Sequence, residues 1–167
     1  YYQLPGKSLE ICCMHLDKGQ MWIGTTTDGA YRLQLDKNEL THPILKGNIT
    51  SIYQDSEGEL WIGSWEEGLH HVKTDGTIEI FEYDAKNPYS ISSNFVRACC
   101  EDNLGNIWIG TFNGLNRYDK STGLFQNHTA SDAQSDGLTH SSIWCIVKDN
   151  QGTLWLGTYF GGVNYFN

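Results

Sequence analysis

Three short stretches gather aromatic rings, two of them beside carboxylate or amide groups: Trp65-Glu66-Glu67, Phe112-Asn113 and Tyr159-Phe160. That combination suits a sugar. The C–H faces of a pyranose stack on rings, and its hydroxyls need paired donors and acceptors, which carboxylates and amides supply. The competing reading is that the rings only plug gaps between neighbouring structural units.

Other chemistries have less behind them. His70 and His71 are vicinal, and neighbours on a strand point to opposite faces, a poor arrangement for one metal ion. Glu66 and Glu67 are vicinal as well, whereas the two carboxylates of a glycosidase flank one bond. No Ser-His-Asp or Cys-His arrangement stands in motif form. Asp17-x-Gly19-x-x-Trp22 has the spacing of the Asp-box of sialidase propellers. The three corresponding stretches are one residue longer, and sialidases clamp a carboxylate with three arginines. This chain has only Arg32, Arg97 and Arg117, and Arg32 and Arg117 fall on third strands, away from the centre. One or two carboxylates at each Asp turn are too few for calcium, which takes about six to eight oxygens. The reading therefore assigns no catalytic residue, metal or cofactor.

The candidate stretches are positioned by a repeat. Asp102-Asn103-Leu104-Gly105-Asn106-Ile107-Trp108-Ile109-Gly110-Thr111 joins an Asp-x-x-Gly turn to an apolar run ending Trp-Ile-Gly-Thr. Residues 149–158, 55–64 and 17–25 repeat it, with tryptophans at 22, 61, 108 and 155, spaced by 39, 47 and 47 residues. Repeats of this length mark solenoids or propellers. Each divides into four short extended segments: one before the Asp turn, the Trp-x-Gly strand, a third after a glycine, and a fourth beyond another turn. Counting back from each Asp, apolar residues stand at minus six and minus three: Ile11 and Met14, Ile49 and Ile52, Val96 and Cys99, Ile143 and Ile146. A spacing of three could suggest a helix, but the segments are short and β-branched residues dominate at minus six, so strand is the better reading.

Four antiparallel strands per repeat make a propeller blade, so the fold class is all-β. One domain, 1–167, is expected, with blades at about 4–46, 47–92, 93–138 and 139–167 plus 1–3, where Tyr1-Tyr2-Gln3 would complete the last blade. Three arrangements stay open: a ring of four closed by the termini, two chains sharing a larger ring, or part of a longer propeller. Trp22, Trp61, Trp108 and Trp155 are expected to pack between blades, each ring burying roughly 150–250 Å². Turns between second and third strands emerge on the same face as the links between blades, which gathers the three candidate stretches there together with Thr26-Thr27-Asp28.

Composition agrees with this plan. Eighteen glycines, three prolines and 13% aromatics suit short strands and tight turns. A net charge of −9, with eleven scattered Lys and Arg, argues against nucleic acid. No run of about 20 apolar residues exists, so no membrane contact is expected of this segment. The chain begins Tyr1-Tyr2 without a methionine or a leader and reads as an excised or processed piece. Its five cysteines lack zinc-site spacing and are expected as small buried residues on inner strands.

The Asp-x-x-Gly-x-Leu/Ile-Trp-Ile-Gly-Thr motif, followed by Gly-Leu-Asn-Arg-Tyr-Asp (114–119) and Thr-Gly-x-Phe (122–125), resembles the two-component regulator propeller repeat. The segment Asn87-Pro88-Tyr89-Ser90-Ile91-Ser92-Ser93-Asn94 is also similar to that family's link before the inner strand. The resemblance covers nearly the whole chain; the first repeat departs most, with a shortened turn and Ala30 where the others have Leu or Val. It implies a periplasmic sensor domain of a hybrid two-component histidine kinase in an inner-membrane protein, responding to oligosaccharides and not itself an enzyme. Full members carry far more than four repeats, so the expected partners are an oligosaccharide and either further blades or a second copy. A structural or dimerisation module with no ligand is the alternative, and a carbohydrate-active hydrolase or lyase on a propeller scaffold is a third reading.

Overall fold

A computed structural model describes residues 10–41, 44–130 and 137–166. Four antiparallel meanders stand in chain order. Blade 1 comprises β1 (Ile11–Asp17), β2 (Gln20–Thr25), β3 (Ala30–Gln34) and the two-residue β4 (Glu39–Leu40). Blade 2 comprises β5 (Ile49–Gln54), β6 (Leu60–Ser64), β7 (Leu69–Val72) and β8 (Ile78–Phe81). Blade 3 comprises β9 (Val96–Glu101), β10 (Ile107–Thr111), β11 (Gly114–Asp119) and β12 (Leu124–His128). Blade 4 shows three strands, β13 (Ile143–Lys148), β14 (Leu154–Thr158) and β15 (Val163–Phe166). The expected completing strand, Tyr1-Tyr2-Gln3, lies outside the described residues.

The spacing of three on the inner strands has a definite cause. Each inner strand carries a β-bulge just after its first residue: the register shifts between Ile11 and Cys13, Ile49 and Ser51, Val96 and Ala98, and Ile143 and Cys145. One extra residue per strand puts minus six and minus three on the same face, where a regular strand would separate them. The bulged residues are Cys12, Thr50, Arg97 and Trp144.

The Asp turn clasps the tryptophan of its own repeat. In blade 3, Asp102 Oδ1 accepts the backbone N–H of Leu104 and Asn106 at 2.8 and 2.9 Å, and Oδ2 accepts the indole N–H of Trp108 at 2.8 Å. Asp55 holds Trp61 and Asp149 holds Trp155 in the same way, each at 2.9 Å. Gly105 closes the turn at φ +83°, which side-chain-bearing residues seldom adopt. In the first repeat the shorter turn puts both Lys18 and Gly19 at positive φ, the type I′ pattern of a two-residue hairpin.

The core lies in the seams between blades. Trp61 meets Val96, Cys99, Ile107, Tyr118 and Phe125 between blades 2 and 3. Trp108 and Leu115 meet Ile143, Ile146 and Leu154 between blades 3 and 4, and Trp22 meets Ile49, Leu60 and Ile62 between blades 1 and 2. The inner strands lie side by side in the order β1, β5, β9, β13, and among the described residues β13 makes no extended contact with β1. The blades thus form an open row. Accordingly Trp22, Trp61 and Trp108 are buried as expected, but Trp155 is 44% exposed, because no blade stands on its far side among the described residues. The same position at the ends corrects the cysteine expectation. Cys99 and Cys100 are buried in the middle of the row, while Cys12 and Cys145 are exposed at its ends.

Candidate functional site

The turns that carry the candidate residues are fixed by the last residue of the repeat motif. The hydroxyls of Thr25, Ser64, Thr111 and Thr158 donate to the carbonyls of Gly29, Gly68, Gly114 and Gly162 at 2.9–3.0 Å. The next residue then ties the turn to the incoming link. Trp65 N–H donates to Asn48 carbonyl, Phe112 N–H to Phe95 carbonyl and Tyr159 N–H to Ser142 carbonyl, at 2.9–3.0 Å. The 2–3 turns and the links therefore do share one face, and three of its four positions carry a ring.

On that face the bulges supply residues that the repeat alone did not mark. A bulge re-aims its extra side chain. Here it brings Arg97 of β9 and Trp144 of β13 together, the guanidinium carbon 3.9 Å from the Trp144 ring centre. The ring centre of Trp65 lies 4.7 Å from the same guanidinium carbon. The stack extends both ways: Trp65 edges onto Phe95 at 5.5 Å and Phe95 meets Phe112 at 6.1 Å, while Trp144 stacks on Tyr159 at 5.4 Å and Tyr159 edges onto Phe160 at 4.3 Å. Candidate rings from three turns thus join one ladder with a cation at its middle, and Phe95, Arg97 and Trp144 are the members the motif comparison missed. Burial under the rings pulls the Arg97 pKa below its ordinary value, with Tyr159 opposing. Its Nε has no hydrogen-bond partner, and no carboxylate pairs with it among the described residues.

The polar candidates are placed less tightly. Glu66 and Asn113 are exposed, beside the rings in sequence, and make no side-chain hydrogen bond among the described residues. Glu67 caps its turn through a backbone N–H to Ser64 Oγ at 2.8 Å, and its carboxylate lies against Gly47 in the preceding link, away from Glu66. In the first repeat Asp28 is engaged by the Tyr31 hydroxyl.

The remaining sequence candidates resolve into structure. His71 stacks on Trp61 at 3.9 Å and meets Glu59 at 2.7 Å, whereas His70 faces the other way and its pKa is lowered by burial. Asp55, Glu57 and Glu59 lie close enough for one ion, yet Lys120 Nζ is 2.9 Å from Asp55 and 2.8 Å from Glu57. That ammonium, with His71 on Glu59, already answers the three carboxylates. Two clefts of about 430 and 310 Å³ lie at the outer strands and Asp-turn side of blade 3, lined among others by Tyr89, Asn127, Asn103 and Phe166, and not at the ring ladder.

Residues 43–66, 90–113 and 137–160 each match the family model described as two component regulator propeller. Three of the chain's four repeats are two-component regulator propeller repeats. Each matched stretch runs from the link through the Trp-x-Gly strand into the variable turn, so the first repeat, with its I′ turn, is the one left unmatched. Among solved structures, the chain is similar to the extracellular domain of the proposed hybrid two component system BT4673 from B. thetaiotaomicron, at 22% identity and TM-score 0.61, over 98% of this chain and 28% of that one. The corresponding domain of BT3049 from the same organism gives 23% and 0.54, over 99% and 29%. The WD40 β-propeller domain of Doa1 gives 16% and 0.70, over 94% and 50%. The regulator-propeller repeats here span less than a third of the two B. thetaiotaomicron chains. No curated protein matches the sequence. No helix among the described residues is long and apolar enough to cross a membrane.

Proposed function

We propose that these repeats form the ligand-sensing part of a two-component signalling protein, placed outside the cytoplasmic membrane, and that the face carrying Trp65, Phe112 and Tyr159 binds an oligosaccharide. The segment acts by binding, and the catalytic and output steps belong to other domains. The observation that carries this reading is the ring ladder centred on Arg97. It is partly exposed, it lies on the turns that differ between repeats, and it offers faces for stacking with Glu66, Asn113 and Phe160 at its margin. The neighbouring extracellular domains of hybrid two component systems support the placement.

The test is a calorimetric and thermal-shift screen with plant and host oligosaccharides. A ligand at 100 times its Kd stabilises by about 2.7 kcal/mol. Trp65→Ala and Tyr159→Ala should each abolish that binding and leave the strand content unchanged by circular dichroism. Unchanged binding in both variants overturns the site. A second reading, a structural or dimerisation module, is favoured by one feature: Trp65, Phe95, Trp144 and Tyr159 already pack on one another. No shift with any saccharide would select it, and release of new reducing ends would select an enzyme instead.

A further inference from the structure

The bulge residue has a plain structural task in the first two blades. Cys12 Sγ donates to the carbonyl of Ile49, and Thr50 Oγ1 to that of Val96, each at 2.6 Å. Each bulge thus clips its inner strand to the next blade. Arg97 holds the same place in blade 3 and makes no such bond. A guanidinium carries five N–H donors, and none of those on Arg97 finds an acceptor among the described residues.

Arg32 and Arg117 also lack a carboxylate, but their position explains them. Each lies across the strand pair from the repeat tryptophan of its own blade, Arg32 from Trp22 and Arg117 from Trp108. In blade 2 the same place is filled by His71, stacked on Trp61. Packing on that tryptophan accounts for a side chain there. No repeated task accounts for Arg97.

Its surroundings leave the charge unanswered. The indoles of Trp144 and Trp65, with ring centres 3.9 and 4.7 Å from the guanidinium carbon, stabilise a cation through their π faces and do not satisfy its in-plane N–H groups. Nε is buried without a partner. Burial lowers the pKa, and the group opposing that shift is the Tyr159 phenol, not a carboxylate. Arginine nevertheless stays protonated. Nor does the open charge belong to an end of the row, because β9 has β5 and β13 on its two sides. A planar N–H fork of this kind matches two oxygens of one anionic group, and partial desolvation strengthens the contact.

We propose that the saccharide bound at this face is acidic, its carboxylate or sulfate ester held by the Arg97 guanidinium while its pyranose rings stack on Trp65, Trp144 and Tyr159. This rests on the oligosaccharide reading above and narrows it. The chain as a whole carries a charge of −9, so no general attraction draws a polyanion to it and the selectivity falls to one side chain. Glu66 and Glu67 stand in the adjoining turn. Without the guanidinium an acidic sugar would meet them as net repulsion.

The test pairs each acidic probe with its neutral form. Oligogalacturonates and hyaluronan oligosaccharides carry carboxylates, and carrageenan oligosaccharides carry sulfate esters. Methyl esterification of the first two and desulfation of the third remove the charge and keep the rings. Calorimetry should find a charged probe bound roughly 10–100-fold more tightly than its neutral form, the loss expected for a charge-assisted hydrogen bond. The arm that binds distinguishes carboxylate from sulfate. Arg97→Gln keeps a planar group against the indoles and should bring the two forms level, while Arg97→Lys, a cation without the fork, should fall between. Circular dichroism checks the fold of both variants, and the paired probes on the parent protein decide the matter if either fails to fold. A neutral form bound as tightly as its charged counterpart overturns the proposal and leaves the oligosaccharide reading standing. So does a preference for the charged form that survives in Arg97→Gln, because another group then reads it. Binding of no saccharide, charged or neutral, overturns both.

Discussion

Gly110→Ala tests whether the glycine of each Trp-x-Gly strand is a socket, kept bare so that the residue six before the next repeat's Asp can seat against it, as Ile49 does at Gly24, Val96 at Gly63 and Ile143 at Gly110. Gly110 is extended and lies outside the left-handed region, so its backbone accepts a side chain. The added methyl would meet Ile143 Cγ2 at 2.6 Å and Cβ at 3.0 Å, where carbon atoms prefer about 3.5–4.0 Å. Overpacking of this kind costs about 1–3 kcal/mol. Removing glycine from the unfolded chain returns roughly 0.4–1 kcal/mol. The net loss is then about 0–2.6 kcal/mol, centred near 1.3, or a fall in Tm of roughly 3–5 °C at that centre for a chain of this size.

The sharper version is a double-mutant cycle read by urea denaturation. Ile143→Ala alone removes a fully buried side chain and should cost roughly 2–5 kcal/mol. If Gly110 and Ile143 occupy one space, the double variant loses less than the sum, by about 1 kcal/mol or more, since the new methyl enters the cavity left by the old side chain. Additivity within about 0.5 kcal/mol, the behaviour of independent sites, would refute the socket.

Two further predictions concern the clasps and acid. Asp102→Ala strands the indole N–H of the buried Trp108 and frees two turn amides, so a loss of about 1–3 kcal/mol is expected in the same denaturation assay. On acidification, stability should fall in two steps followed by Tm against pH. Burial holds the pKa of His70 and His128 below the ordinary value, so their contribution is full above about pH 6.5 and is lost as pH falls and the unfolded chain takes up the protons. For Asp55 and Asp102, burial alone would raise the pKa, but hydrogen bonds from Trp61 and Lys120, and from Trp108 and Asn106, outweigh it. Their contribution is full above about pH 4 and is lost below, as pH passes through the lowered folded values. A Tm that rises on acidification from pH 7 would contradict both steps.

The blades were legible because the repeat states each one four times. Any single alternating run of this length is ambiguous, but Asp-x-x-Gly with Trp-x-Gly-Thr in register leaves one reading for strands, turns and seam residues. Two things were hidden for physical reasons. The bulge appears in sequence only as an apolar spacing of three, which imitates a helix, and so the spacing alone does not place Arg97 and Trp144 beside Trp65 and Tyr159 on the candidate face. The second is that a motif carries no record of what stands beside it. Trp155 is written like Trp61 and differs from it because blade 3 covers the Trp61 side of blade 2, whereas among the described residues no blade covers the far side of blade 4. The Asp side chain has a second role as well, since its turn function is plain from spacing while its bond to the indole six residues on requires the folded hairpin.

The placement of the ring ladder has a consequence for how such a site would signal. Trp65 belongs to blade 2, Arg97 to blade 3 and Trp144 to blade 4, so the guanidinium between the two indoles already spans two seams. A ligand stacked on this ladder would touch all three blades and would favour whichever spacing of the blades fits it. A ligand shifts an equilibrium only by its difference in affinity for the two states. The states open to this architecture are small rotations of one blade against the next about glycine sockets that leave little slack. On the proposed reading, sensing at this face and packing at the seams are one mechanical problem, and a substitution such as Gly110→Ala, remote from the rings, should alter saccharide affinity as well as stability.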